Sequence, residues 1–399
     1  MLISKEVWVL NFLNMAENIQ SELIEIRRDL HENPELGFDL FRTSQKIKDF
    51  LSKEGIEFYE VAQTGICAII RGKGTKTVAL RADMDALPLQ DRKACSYCSK
   101  VQGKMHACGH DAHTTILLGA AKLLNSMRDE IPGNIKLFFE PAEETTGGAS
   151  IMIKEGVLEN PTVNAVIGLH VEEWLEAGSV GLKRGNAYAA SNPFTIKIIG
   201  KGGHGASPHM TIDPIVIASN VIISLQSIVS REMPPTDAAV ITIGSIHGGT
   251  AQNIIPEEVI ISGIIRTMKS EHREYIKTRL IEVVEGIVSS MRGKCEIDIE
   301  ESYPCLYNND HLSDIFENKA GEVIGESNVY KLDTPTMGVE SFAYFANERP
   351  SLFYFLGSGN KEKGIVNPAH GSLFDIDESC LSIGAAMQCK LAFEFLLNL

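Results

Sequence analysis

The chain has 399 residues, 44% of them hydrophobic and 22% charged. At the usual ~100–200 residues per domain this is two to three domains, with too much apolar content for a disordered chain. With 37 Lys and Arg against 52 Asp and Glu the net charge is −15, a poor match for a phosphate backbone, so no nucleic acid is expected as a partner.

Eight cysteines are too few for a disulfide scaffold and read as reduced thiols. The expectation is that no apolar run reaches the ~18 residues a membrane span needs. The start, with Trp8, Val9, Leu10, Phe12 and Leu13 broken by Asn11 and Asn14, lacks the basic segment and cleavage site of a signal peptide. The expectation is a cytoplasmic protein with no membrane contact.

In chain order, apolar residues at three- and four-residue spacing (Ile19, Leu23, Ile26, Leu30, then Ile47, Phe50, Leu51) predict helix over 16–54 with a turn at Asn33–Pro34. Short β-rich runs at 66–71 and 77–81 precede an apolar helix at 114–124, a strand at 134–139, a helix at 149–155 and a strand at 163–169. This alternation predicts an α/β domain with a central mixed sheet flanked by helices. From about 190 the order changes to strand 194–199, helix 215–229, strands 239–246 and 259–267, helix 271–291 and strand 295–301. That is β-α-β-β-α-β, the ferredoxin-like arrangement. After Pro304 come helices 312–324 and 341–346, strand 352–356 and helix 380–397. The economical reading is a discontinuous catalytic domain, 1–189 and 303–399, interrupted by an inserted domain, 190–302.

Three of the strands run into metal-competent side chains: Asp83 and Asp85 after 77–81, Glu140, Glu143 and Glu144 after 134–139, and His170 after 163–169. In open α/β sheets the ligand crevice lies beyond the carboxyl ends of strands. Between them, Met105–His113 packs three histidines and a cysteine. Cys108 and His110, two apart, share one side if the backbone is extended. Adjacent Glu143 and Glu144 would point apart, one toward a metal and its neighbour toward a water as general base. His370, in Asn367-Pro-Ala-His-Gly-Ser-Leu-Phe374, could complete a second metal site.

Arg81-Ala-Asp-Met-Asp-Ala-Leu-Pro88, Gly103-Lys-Met-His-Ala-Cys-Gly-His-Asp-Ala-His113, Pro141-Ala-Glu-Glu144 and Gly168-Leu-His170 resemble the motifs of a metal-dependent amidohydrolase family. It includes bacterial N-acyl-amino-acid amidohydrolases, hippurate hydrolases and plant auxin-conjugate hydrolases, and is related to aminoacylase and carboxypeptidase G. Matching segments run from about His31 to Glu378, with Gly200-Lys-Gly-Gly-His-Gly205 and Met337-Gly-Val-Glu-Ser-Phe342 between.

The resemblance implies two divalent metals per subunit: Cys108 bridges them, and His110, Glu144, His170 and His370 are the other ligands. Zn, Mn, Ni or Co suits a thiolate with imidazoles better than Mg or Ca. Glu143 would be general base on the bridging water, and Asp85 the acid that orients a ligand. The implied substrate is an N-acyl amino acid, with a dipeptide or N-acetylated diamino acid as the alternative. The implied role of 190–302 is lid and homodimer contact. There the edge of strand 194–199 would pair across a two-fold axis, and His204 would reach the partner's active site. Asn253 and Arg266 match positions that contact the substrate carboxylate, for which a forked guanidinium is suited.

The sequence departs from the family at Ser341 (usually Asp), Ser372 (usually Pro), Glu140 (commonly Gln) and Val171–Gly178, which lacks the usual prolines. None of these removes an expected ligand.

Rival readings remain at single motifs. Gly200–Gly205 satisfies the G-x-G-x-x-G of a dinucleotide site, but Pro208 and Pro214 delay the next helix. Cys95-Ser-Tyr-Cys98 reads as two loop thiols or, with His106, as a structural zinc site. Arg266 has a surface salt bridge as its bland alternative, and His204 a plain turn role. An inactive relative that only binds is the reading from a different class, and retention of all expected ligands opposes it.

Overall fold

The computed structural model describes residues 5–399; Met1–Ser4 of the apolar start lie outside the described residues. The chain divides into two compact units, one formed by 1–185, 307–334 and 344–399 and the other by 186–306 and 335–343. Segment 335–343 groups with the second unit, although its sequence reads with the catalytic domain. Its backbone is tied there by Thr336 N–H donating to Ala187 O and Ala189 N–H donating to Gly338 O.

The first unit is built on an eight-stranded mixed sheet in the order Glu57–Val61, Gly65–Arg71, Asn134–Glu140, Thr77–Asp83, Ala165–Glu176, Ser351–Gly359, Val180–Leu182, Val329–Lys331. Its centre is parallel: Asn134–Glu140, Thr77–Asp83, Ala165–Glu176 and Ser351–Gly359 all run one way. Thr77–Asp83 is buried at every position, as expected of a strand covered on both faces. Helices Gln20–Glu32, His110–Ser126 and Cys380–Asn398 pack into the same core, through Leu23, Leu30, Ile116, Leu117, Leu381 and Phe395 among others. The short strands Glu57–Val61, Val180–Leu182 and Val329–Lys331 carry too little periodicity to stand out in the sequence.

The second unit has four antiparallel strands in the order Ala239–His247, Glu258–Thr267, Ala190–Ile199, Lys294–Ile299. With helices Pro214–Ser227 and Ser270–Ser290 the chain order is β-α-β-β-α-β. Ile196, Ile198, Ile261 and Ile265 from the sheet meet Ile217, Val221, Leu280 and Val284 from the helices. Asp213 caps the first helix by accepting from Ile215 N–H and Val216 N–H, with Pro214 at the first helical position.

Two expectations are corrected here. Strand Ala190–Ile199 is hydrogen-bonded on both sides, so it has no edge to offer a second subunit; the edges of this sheet are Ala239–His247 and Lys294–Ile299. Among the described residues, two helices are also long and apolar enough to cross a membrane by length and composition, Pro214–Glu232 and Cys380–Asn398, each with mean hydropathy 1.4. The second is a core helix, 83% buried, whereas the first is only 33% buried.

Candidate metal centre

Parallel strands bring their carboxyl ends to one rim, and Asp83 pairs in register with Glu140 there. Arg81, fully buried, donates to Asp83 Oδ2 and Glu140 Oε2 at 2.7 Å each. Glu140 Oε1 accepts from Ala149 N–H at 2.6 Å, so this departure from the family pattern serves as a buried ion-pair partner.

Gly109 stands at φ +85° as the cap of helix His110–Ser126. A Cβ there would come within 2.3 Å of Val171 Cγ2, so both the backbone and the space require glycine. The turn starts the helix four residues earlier than apolar periodicity suggests. His110 therefore lies in the first helical turn rather than in extended backbone, and it is the left-handed turn that brings it back toward Cys108.

Glu143 and Glu144 likewise follow a left-handed residue, Ala142 at φ 57°. One oxygen of each carboxylate and a ring nitrogen of His110 lie within 4.8 Å of one another. The two side chains converge instead of pointing apart, because they occupy a turn and not a strand. His370 is also left-handed, at φ 61°. Such non-glycine conformations cost about 1–3 kcal/mol each and concentrate at functional sites.

Two donor groups share one atom. Cys108, His110 and His170 form one, and Cys108, Glu144 and His370 the other, with the candidate ligand atoms of each within 4.8 Å of one another. Cys108 Sγ is 3.3 Å from His170 Nε2; Glu144 Oε1 is 3.3 Å from His370 Nε2 and 3.8 Å from His110 Nε2. His170 Nδ1 donates to Val171 O at 2.7 Å, which leaves the Nε2 lone pair directed toward the sulfur. His113 is different: its Nε2 accepts from Val171 N–H at 2.9 Å and its Nδ1 donates to Asp83 Oδ1 at 2.6 Å. Asp83, His110 and His113 also group closely enough to hold an ion, but both nitrogens of His113 are engaged in this arrangement, which suits it to positioning its neighbours.

Asp85 is fully buried at its side chain. It accepts from Glu143 N–H at 3.0 Å and from Glu144 N–H at 3.2 Å, and its Oδ1 lies 3.4 Å from His110 Nδ1. One carboxylate thus orients the glutamate turn and faces a candidate ligand.

The residues fit a pair of divalent cations. Glu144 Oε1 is buried and makes no well-formed hydrogen bond. Burial, with Glu144 and Glu143 adding to it, pushes the Cys108 thiol well up against the pull of His110. Burial, with His113 and His110 nearby, pushes His170 down to about 3, a neutral imidazole ready to ligate. Asp83, Asp85 and Cys108 hold His110 well up against its burial, and the contact with Glu144 holds His370 up; a bound cation would take over the positive charge that those protons supply.

Behind the centre lies a charged layer that the sequence reading did not find. Arg27, fully buried, donates to Asp111 Oδ2 and Asp375 Oδ1 at 2.9 Å each, and His31 Nδ1 lies 2.7 Å from Asp111 Oδ2. Its signal was present: Arg27 and His31 fall on the same helical stripe as Leu23 and Leu30, where a charge must be buried with a partner.

His204, Asn253 and Arg266 belong to the second unit. His204 is exposed, in a two-stranded ladder with Ile254, and Gly205 N–H donates to Asn253 O at 2.8 Å, so the first two are neighbours. Arg266 lies on strand Glu258–Thr267, and its Nη1 is buried without a hydrogen-bond partner. The glycine-rich Gly200–Gly205 turns into this ladder and not into a helix, which ends the dinucleotide reading.

Residues 79–394 match the model of peptidase family M20/M25/M40. The chain belongs to that family. It is similar to the IAA-amino acid hydrolase ILR1-like 4 of Arabidopsis thaliana, 42% identical over 94% of this chain and 86% of the relative. It is 39% identical to the N-acetyl-L-cysteine deacetylase of Bacillus subtilis, over 93% and 87% respectively. Among solved structures it resembles the YXEP protein of Bacillus subtilis, described as a dinuclear metal binding peptidase of family M20, with a TM-score of 0.83 and 32% identity over 96% of this chain and all of that one. The chain is a metal-dependent amidohydrolase of this family, as its motifs imply.

Proposed function

We propose that the chain hydrolyses the amide bond of N-acyl-L-amino acids with two divalent ions held by Cys108, His110, Glu144, His170 and His370. The observation that carries this reading is the shared sulfur, which belongs at once to the His110–His170 group and to the Glu144–His370 group. The N-acetyl-L-cysteine deacetylase among its relatives supports the substrate class. When bound, such ions polarise a carbonyl and make water more acidic; zinc, manganese, nickel or cobalt suits the thiolate, imidazole and carboxylate donors.

Glu143 is buried beside Glu144, its backbone held by Asp85. In this account it takes a proton from the attacking water and returns it to the leaving amine. Asp85 keeps His110 and the glutamate turn aligned. Arg266 offers its unpartnered guanidinium to the substrate carboxylate, with Asn253 assisting. His204 donates a hydrogen bond to the developing oxyanion in the partner subunit of a homodimer. An exposed apolar face on helix Pro214–Ser227, with Ile215, Val216 and Ile223, supports such a dimer.

The test is a panel of acetyl- and benzoyl-amino acids and dipeptides, assayed after chelation and after adding back each metal. N-acyl amino acids should be the best substrates, and activity should return only with metal. Hydrolysis that survives exhaustive chelation overturns the reading, and a preference for dipeptides overturns the substrate.

A further inference from the structure

Cys95-Ser-Tyr-Cys98 takes part in none of the chemistry above. As a zinc site it lacks ligands, since no third His, Cys, Asp or Glu groups with the two cysteines among the described residues. Their sulfurs are in contact, 2.7 Å apart, the proximity that thiol–disulfide exchange within a pair needs. Cys95 N–H donates to Cys98 Sγ at 3.1 Å. Both cysteines are half-buried, whereas Cys67, Cys305, Cys380 and Cys389 are buried.

The loop carrying the pair clasps the segment that carries His370. Arg92 N–H donates to Ser372 O at 3.0 Å, Lys93 Nζ to Phe374 O at 2.9 Å and Tyr97 Oη to Asp375 Oδ2 at 2.8 Å. Tyr97, between the cysteines, also lies under the guanidinium groups of Arg27 and Arg28, 5.1 and 4.6 Å from its ring centre.

We propose that Cys95 and Cys98 form a thiol–disulfide modification site for a low-molecular-weight disulfide of the glutathione type, and that closing it tightens the clasp on residues 370–375. The Cys98 thiolate attacks one sulfur of the small disulfide, forming a mixed disulfide and releasing a small thiolate. Cys95 sulfur then displaces the second small thiol from Cys98. The two cysteine protons leave on the two small thiols, so the dithiol is oxidised to one S–S bond and the small disulfide is reduced.

Burial and the adjacent Cys98 hold the Cys95 thiol up at about 11, which suits Cys95 to the second, resolving step. The new bond ties both ends of the turn holding Tyr97, so its contacts with Asp375 and Arg27 open less often. This chemistry does not rest on the amidohydrolase mechanism; only its effect on the metal centre does.

The full chain is incubated with glutathione disulfide, then mapped by peptide mass spectrometry and by hydrogen exchange. The expected product is a Cys95–Cys98 peptide lighter by two hydrogens, formed reversibly with dithiothreitol. Exchange in peptides covering 370–378 should slow about threefold or more on oxidation, and should not change in Cys95→Ser or Cys98→Ser. Two thiols that stay free, or a stable glutathione adduct on one of them, overturns the site. A disulfide that forms and leaves exchange at 370–378 unchanged overturns the clasp.

Discussion

Asp85→Asn is the substitution whose consequence follows most directly from the geometry. Both Asp85 oxygens accept backbone N–H groups, from Glu143 at 3.0 Å and Glu144 at 3.2 Å, in a side chain with no solvent exposure. Asparagine keeps the shape but turns one acceptor into an NH2 that faces an N–H. A buried donor is then orphaned, at a cost of about 1–3 kcal/mol, or roughly a 5- to 150-fold change in an equilibrium constant. The penalty falls on the arrangement that aims Glu144 and His110, so metal binding bears it, within the ~10–100-fold range of residues that orient ligands. Competition against a chromophoric chelator gives the affinities, and thermal unfolding of the metal-free protein gives the stability. Affinity for at least one ion should fall about tenfold or more, with only a few degrees lost in the metal-free Tm. A folded Asp85→Asn protein that binds both ions within about twofold of wild type would refute the reasoning.

Other outcomes follow from the same structure. Gly109→Ala places a Cβ 2.3 Å from Val171 Cγ2 at φ +85°; the left-handed conformation alone costs about 1–2 kcal/mol, so denaturant melts should show at least that loss, and a neutral result would contradict the cap. Cys108 should be alkylated slowly in the metal-loaded enzyme and faster after chelation, with no acyl-enzyme detected by mass spectrometry; an acyl group trapped on Cys108 would favour a cysteine hydrolase instead. His204→Ala and Glu143→Ala homodimers should each be nearly inactive, yet refolded together should recover about a quarter of wild-type activity, because about half the dimers are mixed and each has one intact site. No recovery despite confirmed subunit exchange would place His204 in its own subunit's chemistry.

Much of the centre was legible because metal-competent residues gather where largely apolar strands end, the rim at which open α/β sheets bind ligands. Asp83, Asp85, Glu140 and His170 could be picked out for that reason. The shape of the turns could not. Periodicity sees only the amphipathic body of the helix, so the helix was begun at 114 when Gly109 starts it at His110. The turn after Ala142 draws Glu143 and Glu144 to one point, where a strand rule sends neighbours apart. The place of strand Ala190–Ile199 inside its sheet was equally hidden, since burial alternation in one strand says nothing about which neighbours flank it. Arg27 and His31 were missed because a charged residue on an apolar stripe is readable only when its partners, here Asp111 and Asp375, are known to meet it.

The central claim is that adjacent glutamates divide the labour, with Glu144 holding metal and Glu143 moving the proton. Metal content by mass spectrometry, set beside kcat on an N-acyl amino acid, measures both for Glu143→Gln and Glu144→Gln. The account predicts that Glu143→Gln keeps two ions per subunit while kcat falls by about 10²–10⁴, and that Glu144→Gln loses metal. A Glu143→Gln protein that loses its metal beside a fully metallated Glu144→Gln protein would contradict it.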